Sequence, residues 1–136
     1  MNRPIQGFSL IELMIVVSIL AIVTTWGYSS YRDTVIKSYR AEGKGELLII
    51  ADNMERYFSN HGTYAGAALG TAANAVHPAS SDHGHYNFSI TNATAIEFTV
   101  TATPQGGQAN DSKCGTFTYK STGANTASGS LGAACW

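Results

Sequence analysis

The chain has 136 residues, 44% of them hydrophobic and 12% charged, with a formal net charge of −1 at pH 7. Part of that length is an apolar N-terminus, which leaves room for one modest globular core. The near-zero charge argues against a generic polyanion binder, and the apolar content, with aromatics spread along the chain, excludes wholesale disorder.

A polar leader, "MNRPIQG", ends in Gly7 and carries Arg3 as its one charge. The apolar run from Phe8 to Tyr28 then extends roughly 31 Å as a helix, the hydrocarbon thickness of a bilayer. A membrane-spanning helix is expected there. No A-x-A pattern follows Val23, so the run does not read as an ordinary cleaved secretory signal, whereas a cut between Gly7 and Phe8 leaves it in the mature chain. One carboxylic acid, Glu12, interrupts it. A carboxylate at the middle of a bilayer costs about 2.5 to 3.5 kcal/mol, so Glu12 calls for a partner; the bland alternative is an acid sitting in water at the headgroup boundary.

Beyond this run the pattern becomes amphipathic, with Tyr28, Tyr31, Val35 and Tyr39 at steps of three and four, then Leu47, Ile50, Met54 and Tyr57 in a shifted phase. The spacing predicts one helix from about Ser9 to about Asn60, on the order of 75 to 80 Å long, apolar all round in its first half and striped in its second. Gly43 and Gly45 each cost about 1 kcal/mol relative to Ala unless packing compensates. Charges of both signs between Arg32 and Arg56 read as a mixed solvated face. "SNHG" supplies a helix stop at Gly62, and residues 61–85, rich in Ala, Gly, Ser and Thr, read as a surface connection.

From Tyr86 the period changes to two, in "YNFSIT", "IEFTVTATP" and "CGTFTYKST", which predicts three antiparallel strands. "NAT" makes a hairpin and "QGGQANDSK" a longer loop. Phe88, Ile90, Ile96, Phe98, Val100, Phe117 and Tyr119 are expected on one face, under the helix stripe. The tail has turn composition. If Cys114 and Cys135 pair, they enclose about 22 residues and stabilise by roughly 3 kcal/mol in an oxidising compartment; two separate buried thiols are the other reading.

"GFSLIELMIVV" resembles the type IV prepilin signature: a leader ending in Gly, Phe as first mature residue and Glu as the fifth. "RYFSNHGTYA", "FTVTATPQGGQA" and the final "CW" are similar to the PilE-like minor pilins. The resemblance implies an α+β type IV pilin fold, in which a long N-terminal helix packs on a small antiparallel three- to four-stranded sheet with a C-terminal disulfide loop between Cys114 and Cys135. It implies five segments: a removed leader (1–7), a transmembrane and filament-core helix (8–28), an amphipathic helix half (29–60), a connecting loop (61–85), and the sheet with its disulfide-bounded loop (86–136). A prepilin peptidase would cut between Gly7 and Phe8, and Phe8 would be N-methylated. Glu12 would neutralise the Phe8 amine of a neighbouring subunit, a buried pair that selects one axial register more than it adds stability, and it also suits the helix N-terminus where it stands.

The same resemblance implies a structural role in pilus assembly and in twitching motility, adhesion and DNA uptake. The chain would be single-pass in the inner membrane before assembly and on the cell surface after it, with other pilins, the peptidase and the assembly machinery as partners. Ser29 stands where family members commonly carry a proline, so no kink is enforced there, although Gly27 and the neighbouring hydroxyls soften the region. A DNA- or surface-binding pilin for natural transformation and a type II secretion pseudopilin are the alternatives.

No cofactor, metal or enzyme activity is expected. "HGH" places His83 and His85 on one side if extended, but Asp82 does not clearly converge with them and no third ligand stands at a fixed spacing. There is no nucleophile elbow, phosphate loop or zinc-protease helix. For DNA, the fixed cations from His61 onward are Lys113 and Lys120, against Asp82, Glu97 and Asp111, which implies a small counterion-release term.

Overall fold

The computed structural model describes residues 8–136, apart from the side chains of residues 25–29. The expected leader with Gly7, and the side chains of Trp26 and Ser29, therefore lie outside the described residues. Two units divide the chain, 1–35 and 36–136, and one helix, α1 (Leu10–His61), is assigned through both.

Apolar side chains from Phe8 to Val23 are open. Phe8 is 84% exposed and even Val16, in mid-run, is 50% exposed. Ser18, Thr24 and Thr34 turn their hydroxyls back onto the carbonyls of Met14, Leu20 and Ser30, at 2.8, 2.9 and 3.0 Å. Each hydroxyl is thus satisfied within its own helix, as an apolar environment demands. Among the described residues no helix is long and apolar enough to cross a membrane; the expected span, Phe8 to Tyr28, runs into the residues whose side chains are not described.

In the second unit the helix buries Leu47, Ile50, Ala51 and Met54, a stripe at the helical period. Phe58 continues it against Tyr64, ring centroids 4.7 Å apart. Tyr57, the expected member, instead stacks on His61. Gly62 ends the helix at φ 68°, its N–H on the Phe58 carbonyl. Tyr64 donates to Glu55 at 2.8 Å, and burial together with that bond pushes its hydroxyl up to about 12. The expected plain connection holds a small parallel ribbon, β1 (Ala68–Leu69) on β2 (Ala75–His77). Strands this short show no period.

The sheet is antiparallel in the order β3 (Tyr86–Ala93), β4 (Phe98–Pro104), β5 (Phe117–Lys120), β6 (Asn125–Ala127). The α+β expectation holds, and the tail supplies the fourth strand. Ile96 is a correction: it is 76% exposed, because Thr94 Oγ1 accepts the Glu97 N–H at 3.0 Å and closes a turn that delays β4 to Phe98. Phe88, Phe98, Val100, Ala102 and Phe117 are buried on the inner face. On the outer face Ser89, Thr101, Thr118 and Thr126 stand in register across all four strands.

Candidate functional site

Residues two apart on a helix project roughly 200° apart, while residues four apart share a flank. Arg40 and Lys44 thus face one way, Glu42 and Glu46 the other. Arg32, Asp33, Lys37, Asp52, Glu55 and Arg56 are exposed, as a mixed solvated face requires, but that expectation is corrected for Arg40, Glu42, Lys44 and Glu46, which are half-buried and whose flanks each dock a loop.

On the cationic flank, Arg40 makes a forked pair with Asp111, Nε to Oδ2 at 2.6 Å and the second nitrogen to Oδ1 at 2.7 Å. Asp111 also accepts the N–H groups of Lys113 and Cys114 at 3.2 and 3.3 Å. Against the cost of burial, the Arg40 guanidinium above all holds its carboxyl below the usual carboxylate range. Lys44 donates to the Cys135 carbonyl at 2.7 Å. Cys114 and Cys135 form the disulfide, Cα atoms 5.7 Å apart, and Trp136 stands edge-on to Phe117 at 5.6 Å. Between the two flanks lies Gly43, where a Cβ would come within 2.7 Å of the Tyr86 ring. That close approach is the packing that offsets one helix glycine; Gly45 has no such neighbour.

On the acidic flank, His85 Nδ1 lies 3.0 Å from Glu42 Oε2 and His83 Nδ1 lies 3.6 Å from Oε1. Burial opposes the Glu42 charge, but hydrogen bonds from His85 and Ser81 and the fields of both histidines leave its carboxyl below the usual range. Glu46 is displaced the opposite way, chiefly by burial and further by Asp82 and Glu42, although it receives the Asp82 N–H. Tyr39 stacks on His85, centroids 3.6 Å apart. The two histidines do converge, though not through an extended strand: Gly84, at φ 71°, closes a turn with its N–H on the Ser81 carbonyl. Sequence reasoning missed Glu42 as their partner. The signal was the alternation of sign at positions 40, 42, 44 and 46.

Of the other expected site residues, Phe8 precedes the helix and Glu12 is exposed in its first turn. Lys120 is exposed beside a cavity of about 310 Å³ lined by Asn92, Glu97, Thr99, Ser121 and Thr122. Arg40 and Lys44 thus dock on the disulfide-bounded end, Arg40 neutralised by Asp111, and Lys113 precedes Cys114 there, while Lys120 stands at the cavity that Glu97 lines.

Two family models match the chain: "Prokaryotic N-terminal methylation motif" over residues 2–28 and "Type IV minor pilin ComP, DNA uptake sequence receptor" over residues 29–118. The type IV major pilin protein PilE1 of Neisseria gonorrhoeae is 32% identical over 71% of this chain and 44% of its own length. The type IV major fimbrial protein FimA of Dichelobacter nodosus is 41% identical over 37% of this chain and 34% of its own length. The chain therefore spans less than half the length of these relatives. The crystal structure of the Neisseria meningitidis non-core minor pilin PilV superposes with a TM-score of 0.55 at 23% identity, over 71% of this chain and 90% of that one, a likeness of fold. The resemblance drawn from "GFSLIELMIVV" and the helix-to-sheet order is borne out: the chain belongs to the type IV minor pilin family described as ComP, DNA uptake sequence receptor.

Proposed function

We propose that the protein is a minor structural subunit of a type IV pilus and that it serves DNA uptake from the filament surface. The observation that carries this reading is the start of the helix, where the apolar side chains from Phe8 to Val23 stand open with a single acid, Glu12, among them. A surface of that kind is stable only among lipid tails or other apolar helices.

In this reading residues 8–28 anchor the chain in the inner membrane. The prepilin peptidase cuts after Gly7, the new amine at Phe8 is methylated, and the assembly machinery moves the subunit into a filament. Glu12 there meets the Phe8 amine of a neighbouring pilin. In a low-dielectric bundle an unpaired charge is costly, so the pair rejects every axial offset but one. The sheet and loops remain outside and offer twitching, adhesion or DNA binding a surface. DNA binding is favoured by the description of the family and by Lys113 and Lys120, both exposed on the sheet-bearing part of the chain. Two lysines are too few for strong nonspecific attraction, so useful binding depends on base readout or on repetition along the filament.

Sheared pili from cells carrying Glu12→Ala test the assembly arm. Processed subunit that stays in the membrane supports it; normal incorporation refutes it, and a secretion defect with intact pili points to the pseudopilin alternative. Gel shifts of the full chain in detergent, with matched and scrambled duplexes across a salt series, test the DNA arm. Binding indifferent to sequence that vanishes by physiological salt refutes it.

A further inference from the structure

We propose that Glu42, His83 and His85 form a binding site for a divalent transition-metal ion, with zinc as the reference ion, that clamps the turn before β3 onto the helix.

One ligand atom from each residue lies within 4.8 Å of the others. With metal–ligand bonds of about 2.0 to 2.2 Å, two ligands of a tetrahedral site stand roughly 3.3 to 3.6 Å apart. The observed spacings, 3.0 Å from Glu42 Oε2 to His85 Nδ1 and 3.6 Å from Glu42 Oε1 to His83 Nδ1, lie near that edge, so side-chain rotations that draw the three ligand atoms in from within 4.8 Å bring them to one ion. Two imidazoles and a carboxylate are a donor set that zinc and its neighbours in the first transition row accept, whereas calcium and magnesium ask for oxygen throughout.

A second observation points the same way. Glu42 Oε1 is buried and accepts no hydrogen bond among the described residues, His83 Nδ1 standing off at 3.6 Å, an expensive state for a carboxylate oxygen that a bound cation would end. The surroundings are built for orientation. Tyr39 backs the His85 ring. Ser81 Oγ accepts the N–H groups of His85 and Tyr86 at 3.0 and 3.2 Å, which fixes the turn carrying both histidines. Asp82 and Glu46 lie close by and add negative field. In the bound state each Nδ1 turns its lone pair to the metal and keeps its proton on Nε2. The His83 side chain is 73% exposed, so the fourth position opens to solvent and takes water. The loop 78–85 and the helix then share one ion.

The test is zinc competition against a chromophoric chelator, using the full chain in detergent, with the parent and the variants His83→Ala, Glu42→Gln and His61→Ala. The expected result is one zinc per chain, at least tenfold weaker binding in His83→Ala and in Glu42→Gln, and no change in His61→Ala. His83 is exposed, so its replacement leaves the fold intact and keeps the test decisive if Glu42→Gln perturbs folding. Absence of stoichiometric zinc, or equal affinity in the parent and His83→Ala, overturns the proposal.

Discussion

Residues 10–23 and residues 43–58 belong to one helix, yet their apolar side chains meet opposite fates. Leu10, Ile11 and Leu13 are 78, 65 and 61% exposed, whereas Leu47, Ile50 and Met54 are fully buried. The difference is in arrangement. The first segment is apolar all round and no single fold partner can cover it; the second is apolar on one stripe, which one sheet covers. A helix can thus hold a self-sufficient half and a half that requires many neighbours, so assembly and folding should fail independently.

The largest separation of the two is expected from Glu12→Ala. Incorporation into pili should fall at least tenfold, by the cost of losing a buried charge partner, with no change in the melting of residues 36–136; a shifted melting temperature would break the comparison. Arg40→Ala should do the reverse, since it strands Asp111, whose side chain is 2% exposed. A loss of about 3 to 5 kcal/mol by chemical denaturation is expected. The depressed Asp111 carboxyl adds a pH signature: its stabilisation is full above the ordinary carboxylate value of 3.8 and disappears as pH falls through and below it. Acid should therefore destabilise the parent more than Arg40→Ala. Reduction of Cys114–Cys135 should cost roughly 3 kcal/mol in the same unit. Gly43→Ala should cost about 1 to 3 kcal/mol by pushing on the Tyr86 ring, where an ordinary helix site would gain from the alanine. Smallest is Lys120→Ala, which should lower the salt slope of DNA binding by about one phosphate contact, read by filter binding.

What the sequence disclosed follows from range. The helix, its stop at Gly62, three of the strands and the prepilin-like start are local patterns, repeated over enough residues to be read. The ribbon at Ala68 and Ala75 and the strand at Asn125 are two or three residues long, with no period to detect. Ile96 obeyed the alternation of β4 but was captured by the Thr94 turn. The convergence of Glu42 with His83 and His85, and of Arg40 with Asp111, depends on how loops fold back onto a helix. Only the alternating signs at positions 40 to 46 hinted that those charges had business inside the molecule.

Mass spectrometry of the N-terminus of this chain in purified filaments addresses the central proposal most directly. The account predicts a chain beginning at Phe8 with a methylated amine, recovered from sheared pili. A chain that keeps residues 1–7 and is absent from the filaments would contradict it.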